Sequence, residues 1–332
     1  MLGQGVFILA ALAVAAWGTL ALWVQKPAGV PFTYLLIAIW VLSALAAAVL
    51  VGMGRWVGAL VLAVPAAVLA AWWLTMRPAQ DRNWEPSVAR LAQGTIDGDT
   101  VTIENVRNFR WRDAQDFDPR WETRRYALSA IRSVDLALSY WSHTAIAHTL
   151  VSFGFADGDY LVFSVEIRRK QNDRFSEIGG FFRQYELSIV AADERDILQV
   201  RTNVRHEQGY LYRVQMAPAD MRALFVEYVN QANRLAVRPR FYNTLTANCT
   251  TLVFRMANRI VTGLPLDYRL LASGYLPEYL YDLDALRGAG SLREYRERGR
   301  YTDRALDTAS GLAFSERIRL GVPGIDPAVA AD

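Results

Sequence analysis

Apolar positions run almost unbroken along the first 76 residues, which contain no Asp or Glu and only two cations, Lys26 and Arg55. Those charges mark off three uncharged stretches, residues 1–25, 27–54 and 56–76. Each supplies the roughly 20 apolar residues that cross a hydrocarbon core as a helix. Trp17, Trp23, Tyr34, Trp40, Trp56, Trp72 and Trp73 are scattered through them, several near stretch ends, where aromatic rings favour the headgroup level. A cleaved signal peptide does not fit, because the first stretch lacks a basic leader and exceeds the length of an h-region. The pattern predicts three transmembrane helices over residues 1–78 and a folded domain over residues 79–332. An odd number of spans sets the N-terminus and the domain on opposite faces. Lys26 and Arg55 fall in successive loops and cancel as an orientation signal. Arg77, Arg82 and Arg90 by themselves favour a cytoplasmic domain, but large translocated domains override that bias, so charge does not settle the side.

Beyond residue 77 the pattern turns strand-like. Trp84, in the polar stretch that leaves the membrane, is expected at the interface. Thr100–Ile103 alternates after the turn Asp97-Gly98-Asp99, and Val134–Trp141 is an apolar run that suits a strand, with a helix as the alternative. His148–Phe155 alternates, Asp157-Gly158 is a turn signal, and Tyr160–Ile167 forms the return strand of a hairpin. Arg168–Arg183 is charged and holds Gly179-Gly180, which predicts a mobile lid or docking arm with few buried contacts. Tyr185–Ala191 and Tyr210–Met216 are further strand candidates. Pro218 opens a helix whose apolar side is Met221, Leu224, Phe225, Tyr228 and Val229, and a second helix is expected from Asn248 to about Val261, closed by Gly263 and Pro265. No motif stands out after Pro265. The expected class is α+β: an antiparallel sheet packed on helices.

Without Lys26 and Arg55, the 36 basic residues become 34, against 33 acidic ones. This balance argues against a nucleic-acid partner, which calls for a basic footprint. With one cysteine, Cys249, an intramolecular disulfide and a Cys-based zinc cluster are excluded. No His-x-x-x-His or His-Glu-x-x-His spacing occurs, so neither a metal nor another cofactor is expected.

Cys249 carries the chemistry. Asn248 is a good N-cap, so Cys249 falls in a first helical turn, where the helix dipole and free backbone N–H groups favour the thiolate. Those N–H groups also suit the oxyanion formed when a carbonyl is attacked. The alternative is a small buried hydrophobe. Asn248-Cys249-Thr250 also matches a glycosylation sequon, a motif short enough to arise by chance. A thiol nucleophile needs a base, usually His. His148 opens the clearest strand and is the first choice; His143, in a loop five residues earlier, is the second; His206 lies in a polar turn. Glu166 interrupts the apolar run of the return strand, so it either holds the imidazole in its tautomer or merely faces solvent or pairs with Arg168. Asn248, Thr250, Tyr242 and Asn243 are candidates for the substrate and oxyanion side.

Two segments, Phe241-Tyr-Asn-Thr-Leu-Thr-Ala-Asn-Cys-Thr-Thr251 and Ala145-Ile-Ala-His-Thr-Leu-Val-Ser-Phe-Gly-Phe155, carry a resemblance. Over roughly residues 80–262 the chain resembles the Lnb-type periplasmic domain family, linked to bacterial lipoprotein N-acylation. More remotely, its order of a strand-borne His followed by a helix-opening Asn-Cys is similar to the permuted papain-like (NlpC/P60-like) group containing lecithin retinol acyltransferase. His148 and Cys249 occupy the matching positions. That group follows its Cys with Glu-His-Phe where this chain has Thr250, Thr251 and Leu252, so the third catalytic group is not carried over.

The resemblance implies an extracytoplasmic domain, hence a multi-pass protein of the bacterial inner membrane with its C-terminal domain in the periplasm. It implies an acyltransferase that moves a fatty acyl chain from a membrane phospholipid, through a thioester on Cys249, to the N-terminal amine of a diacylated lipoprotein. An amidase or cysteine peptidase of the same fold acting on cell-wall peptide, and a non-catalytic interaction module, are the alternatives.

Overall fold

The structure, a computed structural model, describes residues 2–325. Its chain divides into two compact units: the residues up to Ala79 together with Arg174–Tyr185, and Gln80–Asp173 together with the residues from Glu186 onward.

The first unit holds α1 (Leu2–Gln25), α2 (Gly29–Gly52) and α3 (Val57–Thr75), all three long and apolar enough to cross a membrane. Leu9, Leu35, Leu42, Val64 and Val68 are each more than half exposed, so the bundle is apolar on its outside as well as within, the pattern of helices that lipid solvates. Small residues bring the helices together. A Cβ on Gly18 would lie 2.5 Å from the Trp40 ring, and the indole donates to the Ala15 carbonyl at 2.9 Å.

Of the excursion expected over Arg168–Arg183, residues 171–178 are mostly exposed, but its end is packed. Phe182 and Tyr185 are buried. The Phe182 ring lies 6.4 Å from those of Trp17 and Trp73, and the Gln25 amide donates to the Phe182 carbonyl at 2.5 Å. Arg183 stacks over Trp73 at 4.7 Å and donates to its carbonyl at 2.6 Å. Tyr185 Oη accepts from the Ser176 amide at 2.7 Å and donates to the Arg174 carbonyl at 3.1 Å, which ties the segment to itself. A Cβ on Gly179 would sit 2.0 Å from Gln184 Oε1, so the Gln184 side chain fills the space that the glycine leaves.

The second unit is built on strands β1 (Gln93–Asp97), β2 (Thr100–Arg107), β3 (Arg110–Trp111), β4 (Phe117–Asp118), β5 (Trp121–Ala127), β6 (Ile131–Tyr140), β7 (His148–Phe155), β8 (Tyr160–Arg168), β9 (Glu186–Ala192) and β10 (Gln208–Arg213). The main sheet runs β1-β2-β9-β8-β7-β6-β10, with β5 also on β2, and β3 and β4 form a separate ribbon. The sheet is mixed rather than wholly antiparallel: β2 meets β9 in parallel at Arg107 and Ala192. The β7–β8 hairpin forms as its alternation predicts, with Gly158 at φ 85° in the turn. Trp84, expected at the membrane interface, is instead buried beneath the Arg168 guanidinium, 4.4 Å from its ring.

Helices α4 (Glu194–Ile197), α5 (Pro218–Val237) and α6 (Cys249–Ile260) flank the sheet. On one face Phe153 packs 5.1 Å from Phe225 of α5, and Phe163 stacks on Tyr228 at 4.8 Å. The alternate positions of the strands, Leu150, Val162 and Val190, pack with Ile197, Tyr301 and Ile318 on the other face. Period-two side-chain direction thus feeds two cores from one sheet.

The second face also encloses charge. Arg319 donates to Asp135 Oδ2 at 2.8 Å and to Glu194 Oε1 at 2.6 Å, Arg213 pairs with the other Asp135 oxygen, and Ser152 donates to Glu194 at 2.5 Å. Asp135 and Glu194 are fully buried. Arg319→Ala strips both carboxylates of a partner and is expected to destabilise the domain by about 3–5 kcal/mol, the usual effect of breaking a buried pair from one side. The melting temperature, followed by near-ultraviolet circular dichroism, checks this; an unchanged value would mean that Arg213 and water suffice.

Candidate active site

Asn248 begins the site by ending the loop before α6. Its Oδ1 accepts from the Thr250 amide at 2.9 Å and the Thr251 amide at 2.7 Å, and its own backbone N–H donates to the Thr251 hydroxyl at 3.0 Å. This reciprocal cap sets Cys249 as the first residue of α6, as the capping rule predicts. The cap also consumes first-turn donors. The Thr250 and Thr251 amides serve Asn248 Oδ1 and the Leu252 amide serves the Asn248 carbonyl, so the expected set of free N–H groups for an oxyanion narrows to the Cys249 amide. The Asn248 Nδ2 donates to the Thr244 carbonyl at 2.6 Å.

His148 is the first residue of β7, paired with Ser139 of β6. Continuing the β7–β8 register two residues past the Leu150–Ser164 pair sets His148 opposite Glu166. Its Nε2 lies 2.7 Å from Ser164 Oγ and 3.1 Å from Glu166 Oε1, and Ser164 donates to the same Glu166 oxygen at 2.8 Å. With Nε2 engaged there, Nδ1 is the ring nitrogen left to serve the Cys249 thiol, to which His148 is electrostatically coupled. The thiol lies 3.9 Å from Thr250 Oγ1, which in turn meets Thr149 Oγ1 at 3.2 Å. The structure therefore gathers Cys249, His148 and Glu166, with Ser164 between the last two.

Arg201, buried on the far side of Glu166, donates to Glu166 Oε1 at 3.0 Å and to Glu207 Oε2 at 3.2 Å, and Ser139 donates to Glu207 as well. Glu166 thus pairs with His148 and Arg201. Arg168, its expected alternative partner, turns away to the Val88 and Ala89 carbonyls.

The electrostatics follow from these neighbours. Burial pushes the Glu166 carboxyl up, but His148 and Arg201 outweigh it and hold it well below the usual carboxylate range. Burial disfavours the His148 cation and Arg201 opposes it, yet Glu166 and the thiolate prevail and push it up to about 9. Burial raises the Cys249 thiol, while His148, the Thr149 amide and the Thr250 hydroxyl bring it below its ordinary value. These neighbours favour a thiolate beside an imidazolium. Since the folded pKa of His148 lies above its ordinary 6.5, its share of stability is complete below 6.5 and is lost as pH rises through about 9.

Of the other candidates, Tyr242 borders the site, and the rest lie apart or do local work. Asn243 Oδ1 closes a turn by accepting from the Leu245 and Thr246 amides at 3.0 and 2.9 Å. Tyr242 is half-buried against the first core, and burial together with the Cys249 and Glu166 charges raises its hydroxyl's pKa. His143 is exposed in the loop between β6 and β7, and His206 is exposed at φ 56°.

Four positioning residues escape sequence reasoning. Ser164 carries a signal, because it shares the period-two face of Glu166. Arg201 carries none, since it lies on a π-helical turn (Val200–Val204) between two strands. Ser273 and Gly274 lock the entrance to β7: Ser273 Oγ donates to the Ala147 carbonyl at 2.6 Å, and the Gly274 amide donates to that of Ala145 at 3.0 Å. A Cβ at Gly274 would lie 1.9 Å from the Thr144 carbonyl oxygen.

Fold and site together define a membrane-attached α+β protein with a thiol–imidazole–carboxylate constellation at the junction of one helix and one hairpin. Residues 117–274 match the family described as the Lnb N-terminal periplasmic domain; the chain carries an Lnb-type domain behind three helices long and apolar enough to cross a membrane, which supports a membrane protein with a periplasmic C-terminal domain. No curated protein and no solved structure matches the chain.

Proposed function

We propose that this protein is a lipoprotein N-acyltransferase of the bacterial inner membrane, spanning it three times with its N-terminus in the cytoplasm. The observation that carries the reading is the Cys249 thiol at the start of α6, paired with an imidazole that Glu166 keeps charged, in an Lnb-type domain attached to membrane-length helices. The Cys249 thiolate attacks an ester carbonyl of a phospholipid. A carbon–sulfur bond forms, and the oxyanion rests on the Cys249 amide. On collapse the ester C–O bond breaks, and His148 gives its Nδ1 proton to the departing lysophospholipid alkoxide, leaving a thioester and a neutral imidazole. The free α-amine of a diacylated lipoprotein then attacks the thioester. His148 takes the amine proton, the carbon–nitrogen bond forms, the carbon–sulfur bond breaks, and the ion pair is restored.

Both substrates are lipids, so a membrane anchor confines enzyme, donor and acceptor to one surface. Incubation with phospholipid and no amine is expected to add one acyl mass to the peptide containing Cys249. Neutral hydroxylamine should remove it, and a diacylated lipopeptide should take it onto its N-terminus. Free fatty acid as the only product would make the protein a hydrolase and favour the amidase-like reading, and the absence of any adduct, with cleavage of wall peptides alone, would overturn acyl transfer.

A further inference from the structure

The segment 174–185 has no part in the chemistry above, yet it is a built element. It leaves most of its large apolar side chains outside: Phe175 is 54 % exposed, Ile178 42 % and Phe181 41 %. Three such residues within seven positions are not accounted for by packing, because the buried side of the segment is already supplied by Phe182 and Tyr185. What the segment packs on fixes its depth. Trp17 lies eight residues before the end of α1, roughly 12 Å along a helix, and Phe182 reaches its ring. Trp73 and Gln25, the other contacts, stand at the ends of α3 and α1. The Arg183 guanidinium over the Trp73 indole has the composition of a headgroup layer, where indoles and snorkelling cations collect.

We propose that residues 174–185 are a membrane hook whose Phe175, Ile178 and Phe181 enter the acyl region of the leaflet bordering the domain. The partner is phospholipid hydrocarbon, continuous with the lipid that surrounds α1 and α3; this rests on the reading that those helices cross a bilayer. The hook lies within the connection from β8 to β9, which leaves the sheet after the Arg168–Glu186 pair.

The test needs no turnover. In a Cys249→Ala background, Phe175→Cys, Ile178→Cys and Phe181→Cys each give one thiol for an environment-sensitive fluorophore, with Asp157→Cys in the exposed β7–β8 turn as control. The full chain is placed in nanodiscs of phosphatidylethanolamine and phosphatidylglycerol carrying nitroxide on their acyl chains. The three hook labels are expected to lose fluorescence to the nitroxide and to resist aqueous iodide, while the control behaves in the opposite way. Hook labels quenched by iodide alone would overturn the proposal. Labels shielded from both quenchers would overturn it too, and would assign the surface to protein, a second copy included. Because the labelled protein lacks the thiol, these outcomes are independent of acyl transfer: a failed thioester experiment leaves the hook intact, and a failed hook leaves the thioester intact.

Discussion

Cys249→Ala is expected to abolish transfer of an acyl chain to a diacylated lipopeptide, by on the order of 10⁵-fold or more, as removal of a covalent nucleophile does. Cys249→Ser should fall nearly as far, since a hydroxyl at this position remains protonated where the thiol does not. The residue is small and half-buried in the first turn of α6, and the cap that starts the helix belongs to Asn248 and Thr251. The Ala variant should therefore keep its circular dichroism and its insertion. His148→Ala should approach the same loss, because its imidazolium both lowers the thiol pKa and supplies the proton to the leaving alkoxide. His206→Ala should be nearly silent, and His143→Ala likewise, since both rings lie exposed in loops. Retention of activity by Cys249→Ala would remove every thiol mechanism. A His143→Ala variant more damaged than His148→Ala would show that the base comes from the loop and that the pairing with Glu166 is structural.

Much of this site is legible in the residues because its parts are local. The β7–β8 hairpin follows from strict alternation around Asp157-Gly158, and its register then sets Glu166 opposite His148 without further information. Asn248 announces the start of α6, and the helix confirms it with a reciprocal cap. Long-range partners are illegible for a physical reason. Arg201 meets Glu166 across 35 residues from a π-helical turn with no periodic signature. Arg319 returns to Asp135 across 184 residues from a C-terminal region whose sequence, rich in Arg, Tyr and Gly, reads as surface. The parallel contact of β2 with β9 is likewise a matter of topology, which alternation within either strand does not encode. Residues 174–185 mislead for a different reason. Their charge and paired glycines signal mobility in water, but Phe182 and Tyr185 are satisfied by helices more than a hundred residues earlier and by the segment's own backbone.

Glu166→Gln is expected to slow transfer by on the order of 10²–10⁴-fold, the range a positioned acid–base group supplies, and to move the pH dependence of Cys249 in a defined direction. In the native site burial and Arg201 both press the His148 pKa down, and Glu166 with the thiolate carries it up to about 9. A neutral amide at position 166 removes the principal opposing charge while burial and Arg201 remain, so the imidazole pKa falls and His148 becomes neutral near pH 7. The thiol then loses the cation that lowered it, and its pKa rises. Cys249 is the only cysteine in the chain, so its alkylation by iodoacetamide reports the thiolate without interference. The native protein should react below the ordinary thiol pKa, with transfer rising through an apparent acid limb and falling again as His148 deprotonates near pH 9. These limbs belong to the coupled pair rather than to either residue alone. In Glu166→Gln the alkylation midpoint should move upward and the alkaline limb of transfer downward, and the two shifts narrow the active window from both sides. Glu166→Asp, which keeps the charge on a shorter arm, should recover part of both. An alkylation profile identical to the native one in Glu166→Gln would mean that the thiol is governed by the helix start and the Thr149 amide, with Glu166 holding the imidazole in place by its hydrogen bonds alone.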